Sequence, residues 1–387
     1  MRILVVNPNW NAYSEVWLHR MMEYFKDEIV GVACFSPGAK FWNNGAPSFD
    51  LYGQELHLLK RIYNKIPIGK KIERKSVETD FKKFAEKLKP TLIFINFTGP
   101  AIFLKNVIEK LEIPVVIHTH GGDINANAYN HEGRRAHADL FANDITLLGK
   151  MKHVYFIANS NYARSLLSEF ELDEKKIVLK YFGVESKKVE RKFNKNLKVL
   201  YLGRFVDFKG PDLVVQSFIK ACDQGFNGTL KMVGSGPLLV TCKLLAKRSK
   251  YADKITFCEP VDADTAAKLF VESDIYNMHN CLGILTGEGE AFGVTIIEAM
   301  SFGTVVITGN YGGPQEIIEN GEDGILVTPE DVEAHAQALL DLQNNPHLLQ
   351  KLSRNAIVKI NKIFSAAQEK ATLFSIFKKI ENREELS

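Results

Sequence analysis

Short runs that are almost wholly apolar alternate with longer stretches of helical period along most of the chain. Such runs, apolar at every position instead of every second one, are expected of parallel strands covered on both faces. In the first half "RILVV", "GVACFS", "TLIFINF", "PVVIHTH" and "VYFIANS" read as strands. In the second half "KVLYLG", "TLKMVG", "KITFCE", "DIYNM", "TVVITG" and "GILVTP" do the same. Helical patterns such as "DFKKFAEKLK" and "PDLVVQSFIKAC" lie between them. Strand-helix alternation of this kind implies α/β architecture, with doubly wound parallel sheets. The charged, lysine-rich "ESKKVERKFNKN", Glu185 to Asn196, breaks the pattern and reads as a linker between two domains. After about Pro346 the pattern is purely helical, and the last helix, from about Ala366, is amphipathic and free to dock elsewhere. The expected domains are therefore 1–190, 191–365 and a terminal helix 366–387.

Composition narrows the picture. A chain of 387 residues with 45% hydrophobic and 25% charged residues has material for two ordinary cores. A formal charge of +3 offers no basis for nucleic acid as the main partner. Five scattered cysteines make no CxxC pair and fit a reducing cytosol. The apolar start Ile3 to Val6 is too short for a secretory signal, and no run reaches the roughly 18 apolar residues of a membrane span. The basic stretch from 60 to 75, interleaved with Ile62, Tyr63, Ile66 and Ile68, is either a solvated helix face or a seat on an anionic membrane. The expectation is a cytoplasmic protein, with peripheral contact at the inner membrane face as the second possibility.

In open α/β sheets, ligands bind beyond the carboxyl ends of strands, so residues just after strands carry the candidate chemistry. Arg204 follows a strand, and Lys209, Gly210 and Pro211 lead into a helix. Two cations at that place suit a multiply charged anion. In "VGSGPLL", Gly234 and Gly236 permit close backbone approach or a positive φ. This is neither a GxGxxG fingerprint nor a Walker loop, which disfavours an NAD oxidoreductase. "GEGEAFGVTIIEAM" places Glu290 in a loop, Gly293 at a helix start and Glu298 one to two turns in. Free helix N–H groups there suit phosphate, and a carboxylate suits neutral diols such as ribose hydroxyls. Glu288 reads as a loop charge. In "VVIHTHGGDI", His118 and His120 share a strand face beside Gly121, Gly122 and Asp123. The choice there is between a metal site lacking its further ligands and a histidine positioned at a cleft. "DAD", Asp262 to Asp264, suits a helix N-cap better than a metal.

Taken together these segments resemble the retaining family 4 glycosyltransferases, which have the GT-B fold of two Rossmann-like domains facing across a cleft. The resemblance is carried by Glu290-AFGVTII-Glu298, and in order by Gly203-Arg204, Lys209-Gly210, Gly234-Ser-Gly236-Pro237, Gly312-Gly313 with Glu316, and "GILVTPED". It implies transfer of a hexose-type sugar from a nucleotide diphosphate sugar, UDP first and GDP next, to a hydroxyl of a glycan, lipid-linked saccharide or small molecule. Arg204 and Lys209 would hold the donor diphosphate, and Glu298 the ribose. Glu290, with the backbone of Ala291, Phe292, Gly293 and Val294, would hold the sugar and distal phosphate. Gly203, Gly234, Gly236 and Pro260 would line the nucleotide, and His120 would stand beside the transferred sugar. Gly121, Gly122 and Asp123 fall on the acceptor side. No metal or other cofactor is implied.

The chain departs from the family pattern at three places. Ala12-Tyr13 replace a glycine pair, which points to an acceptor pocket built from Asn9, Trp10 and Tyr13. Phe182 stands where the family has Asn, and Glu259 replaces a glycine near the base pocket. The alternatives to a transferase are a GT-B sugar-nucleotide epimerase or hydrolase and a non-catalytic nucleotide-sugar-binding subunit.

Overall fold

A computed structural model describes residues 1–8, 16–35, 45–51, 67–125, 135–185, 187 and 189–386; for residues 16, 67–76 and 135–139 it describes the backbone alone. The chain forms two parallel sheets. The first holds β1 (Ile3–Asn7), β2 (Ile29–Cys34), β3 (Ser48–Asp50), β4 (Leu92–Asn96), β5 (Val115–His118), β6 (Val154–Ala158) and β7 (Ile177–Leu179). The second holds β8 (Lys198–Leu202), β9 (Thr229–Val233), β10 (Ile255–Cys258), β11 (Ile275–Asn277), β12 (Val305–Gly309) and β13 (Ile325–Val327). Their orders are β3-β2-β1-β4-β5-β6-β7 and β10-β9-β8-β11-β12-β13. Winding reverses between β1 and β4, and again between β8 and β11, so each sheet has a crevice at that point. Tyr276 sets the register at the second reversal, opposite Leu200 on one side and Val306 on the other.

Every expected strand is present. Two more, β3 and β7, are three residues each. The central strands are buried along their full length, as in β1, β4, β5 and β12. This explains their unbroken apolar runs. The terminal helix Ala366–Glu381 crosses back to the first domain. Its Leu373, Ile376, Phe377 and Ile380 share a core with Ile3, Val5, Met21, Phe25 and Phe94.

The segment read as a linker holds an anchor. Arg191 is buried and its guanidinium donates to the carbonyls of Phe270, Val271 and Ser273. Asn194 donates to the Asp274 carboxylate. The lysines around Arg191 disguised an anchor, because a guanidinium with several carbonyl partners can be buried where an ammonium is solvated. Phe182 and Val184 already pack in the core of the second domain.

The chain crosses between domains at two places, and these are tied to each other. Val184 donates to Phe364 O at 2.8 Å and Ala366 donates to Val184 O at 2.9 Å. Beside them lies an ion pair between Lys180 and Glu369 whose side chains are 0% and 1% exposed. Glu369 also accepts from the Gly183 N–H and the Tyr24 hydroxyl, and Arg20 donates to Gly183 O. Among the described residues no helix is long and apolar enough to cross a membrane.

Candidate active site

The loops after β8 and β11 meet at the reversal point of the second sheet. Lys209 and Glu290, 81 residues apart, form an ion pair there, with side chains 11% and 16% exposed. Burial pushes the Glu290 carboxyl up, but Lys209 and Arg204 outweigh it and hold the group below the usual carboxylate range. The Phe292 N–H also bonds to this carboxylate. The loop then turns at Gly293, φ 104°, into the helix Val294–Ser301, which has no side-chain N-cap. That leaves N–H groups of the first turn available to an anion. Glu298, one turn in, is raised by burial to about 7, with Arg20 opposing. Arg204 is exposed, its guanidinium carbon 5.6 Å from the Phe208 ring centre.

A Cβ on Gly203 would meet only side chains at ordinary distances, Lys209 Cδ at 3.6 Å and Met278 Cε at 3.8 Å. Gly234 and Gly236 have φ of 138° and 149°, conformations that favour glycine. The backbone they approach is the protein's own. A Cβ would stand 2.0 Å from Gly203 O at the first and 2.6 Å from Phe205 O at the second. In this structure they brace the loop after β8. Pro260 is exposed after β10, the edge strand. Asp262 caps the helix Ala263–Glu272 through the Thr265 N–H, as its position implied.

The first domain brings its β5 loop directly against these residues. Gly121, φ 103°, has Ala291 so close that a Cβ would fall 2.3 Å from the Ala291 Cβ. A Cβ on Gly122 would stand 3.6 Å from Glu288 Oε1. Glu288 is thus a loop charge that faces the first domain, and burial raises its carboxyl despite Arg204. Asp123 has both oxygens engaged, accepting from His120 N at 2.7 Å and Thr98 N at 2.9 Å. It shapes the loop. Asn125 reaches across to Gly287 O at 2.8 Å. The other expected acceptor residues, Asn9, Trp10 and Tyr13, lie outside the described residues, as do residues 60–66 of the basic stretch, whose remainder is helical backbone.

His120 sits among rings: Trp17 at 4.4 Å, Phe97 at 4.3 Å, His118 at 4.3 Å and Phe182 at 5.9 Å between centres. Neither histidine has a hydrogen-bond partner for its ring nitrogens. Burial keeps both well below the ordinary histidine range, and thus neutral. A buried polar group left unpaired calls for a reason, and a ligand's hydroxyl would supply one. Among the described residues no group of three metal-ligating side chains is assembled. Phe182 joins the domains here, 5.6 Å from Phe292 and stacked on His120.

Another cross-domain contact centres on Glu316. Its carboxylate accepts from the N–H groups of Asn161 at 2.8 Å and Tyr162 at 2.9 Å, at the start of the helix Asn161–Ser168. It also accepts from Tyr181 OH at 3.0 Å. A carboxylate at a helix N-terminus is favourable on both hydrogen-bond and dipole grounds. Nothing local to "GGPQE" shows that its partner lies in the other domain.

Residues 184–359 match the family model for glycosyl transferases group 1. An uncharacterized glycosyltransferase of Methanocaldococcus jannaschii is 25% identical over 249 residues, covering 61% of this chain and 62% of that protein. A GDP-mannose-dependent alpha-(1-6)-phosphatidylinositol monomannoside mannosyltransferase of Mycobacterium tuberculosis is 30% identical over 144 residues, 37% of each chain. The chain thus matches less than two thirds of the length of either relative. Among solved structures, Anabaena HepE in complex with UDP superposes with a TM-score of 0.77 at 16% identity, covering 98% of this chain and 100% of that one. Sucrose-phosphate synthase of Thermosynechococcus elongatus gives 0.76, also at 16%, over 99% and 100%. The chain has the GT-B fold, and its residues 184–359 are similar to the glycosyl transferases group 1 family.

Proposed function

We propose that the protein is a retaining, metal-independent glycosyltransferase of family 4 that moves a hexose-type sugar from a nucleotide diphosphate sugar to a hydroxyl acceptor. One observation carries this reading: the Lys209–Glu290 pair, beside the uncapped helix start at Gly293 and facing Gly121 of the other domain. A diphosphate carries more charge than a carboxylate, so it competes with Glu290 for Lys209 and frees Glu290 to accept from sugar hydroxyls. Glu298 takes the ribose. Arg204, Lys209 and the helix N–H groups stabilise the charge that builds on the departing phosphate. Each well-placed donor contributes about 2.7 to 4 kcal/mol in such sites. No group in this arrangement suits a covalent nucleophile, which favours attack on the face the diphosphate leaves. That phosphate is then the acceptor's proton sink. The neutral, unpartnered ring of His120 suits a hydrogen bond to the transferred sugar. UDP is the favoured base, in line with HepE solved with UDP, and GDP is next, in line with the mannosyltransferase.

The test is a saturation-transfer NMR screen of UDP- and GDP-sugars, repeated on Glu298→Ala. Binding by the wild type and loss in the variant is expected, whereas no binding of either class by the wild type defeats the reading. Turnover with a panel of hydroxyl acceptors distinguishes a transferase from an epimerase or hydrolase, which releases sugar without one. Loss of turnover on chelation would refute the metal-independent mechanism.

A further inference from the structure

His279 follows β11 and forms the floor of the Lys209–Gly210 turn. Its N–H donates to Lys209 O at 3.3 Å. A Cβ on Gly210, φ 56°, would stand 2.4 Å from His279 O and 2.9 Å from its Cβ. The ring of His279 is buried and continues into a chain of hydrogen bonds. Glu330 N lies 2.8 Å from His279 Nε2, and His279 Nδ1 lies 2.6 Å from His335 Nδ1. His335 Nε2 contacts Asn277 Oδ1. The two rings are stacked, with centres 4.8 Å apart at 21°.

One fixed donor orders the whole chain. A backbone N–H only donates, so His279 Nε2 is bare and its proton is on Nδ1. His279 Nδ1–H then donates to His335 Nδ1. That leaves the second proton on His335 Nε2, where Asn277 Oδ1 accepts it. Both rings are neutral in this arrangement. A further proton on His279 Nε2 would confront the Glu330 N–H, and one on His335 Nδ1 would confront His279 Nδ1–H. Asp331 favours a charged His279, but burial prevails and takes that ring down to about 4.

We propose that His279 and His335 are positioning residues for the diphosphate site, forming a one-way neutral chain that locks the Lys209–Gly210 turn to the Glu330 turn. Glu330 itself is held at φ 66°, a conformation that costs a non-glycine residue energy and needs outside support. The helix Val332–Asn344, which carries His335, packs along the helix that Gly210 starts. The chain therefore fastens three segments under Lys209. The proposal rests on the reading of Lys209 as a phosphate ligand.

Nitrogen-15 NMR of histidine side chains tests the chain without any ligand. The expected spectrum shows His279 as the Nδ1–H tautomer and His335 as the Nε2–H tautomer, both neutral near neutral pH. The opposite tautomers, or a charged ring there, would overturn the proposal. Calorimetric titration with UDP, or GDP if UDP does not bind, tests the function. His335→Phe should weaken binding about tenfold, about 1.4 kcal/mol, and His335→Gln less. In a Lys209→Ala background the effect of His335→Phe should vanish, because the chain acts through Lys209. Additive losses overturn the proposal alone. Failure of the wild type to bind either nucleotide overturns the diphosphate reading and the proposal with it.

Discussion

Glu298 carries a charge set by its surroundings. Burial raises the Glu298 carboxyl to about 7, yet binding ribose hydroxyls as an acceptor requires the anion. The folded protein holds this proton more tightly than the unfolded chain does. Its contribution to stability is present at acid pH and lost as pH rises through about 7. Donor binding has the opposite slope. Its KM should rise as pH falls below about 7, approaching tenfold per unit, and Glu298→Gln should flatten the profile at a weaker plateau. Steady-state kinetics across the neutral range decide the point. Lys209→Ala should lower kcat at least about tenfold, the loss of one preorganised charge donor. A variant with near-normal kcat would remove Lys209 from the mechanism. The residue types at both positions were legible from spacing alone. The ion pair with Glu290 was not, since 81 residues separate the partners.

At the level of elements, strands with both faces covered announced themselves as apolar runs, and helix starts at Pro211 and Asp262 followed from their chemistry. What the local pattern concealed were polar side chains whose partners are distant. Arg191 looked like one more cation of a linker and is an anchor. Lys180 and Glu369, 189 residues apart, lie buried between the two chain crossings. Removing one member of a buried pair leaves an uncompensated charge. Glu369→Ala should therefore destabilise the protein by about 3 to 5 kcal/mol, measured by chemical denaturation. A loss within the range of an exposed pair would contradict the burial argument. Gly121→Ala tests the approach of the two loops. The added Cβ meets Ala291 at 2.3 Å, and relief of that overlap must part the domains. A large fall in kcat/KM is expected, together with a lower denaturation midpoint because alanine is strained at φ 103°.

Across the whole molecule, contacts from Glu316, Asn125, Gly121 and Phe182 hold the two domains against each other. Glu316→Ala removes the carboxylate from the helix start at Asn161 and should raise the radius of gyration in small-angle scattering. An unchanged radius would show that the other contacts suffice. The buried histidines set the acid limit. His118, His120, His279 and His335 are all lowered by burial, so the unfolded chain takes up protons first as pH falls below about 6.5. Each then costs about 1.4 kcal/mol per pH unit, while Asp123, raised to about 6, and Glu298 offset part. The denaturation midpoint should fall between about pH 6.5 and 5.

The amino-acid sequence alone determined the two-domain α/β architecture and the order of the loops that carry Lys209, Glu290 and Glu298. Burial period and backbone chemistry are local properties, written in neighbouring residues. Only the tertiary structure decided which loops face each other, that Gly234 and Gly236 brace protein backbone, that Glu288 stands beside Gly122, and that Asp123 holds the backbone of Thr98 and His120. Those outcomes depend on pairings across tens to hundreds of residues, for which a single chain of letters holds no distance.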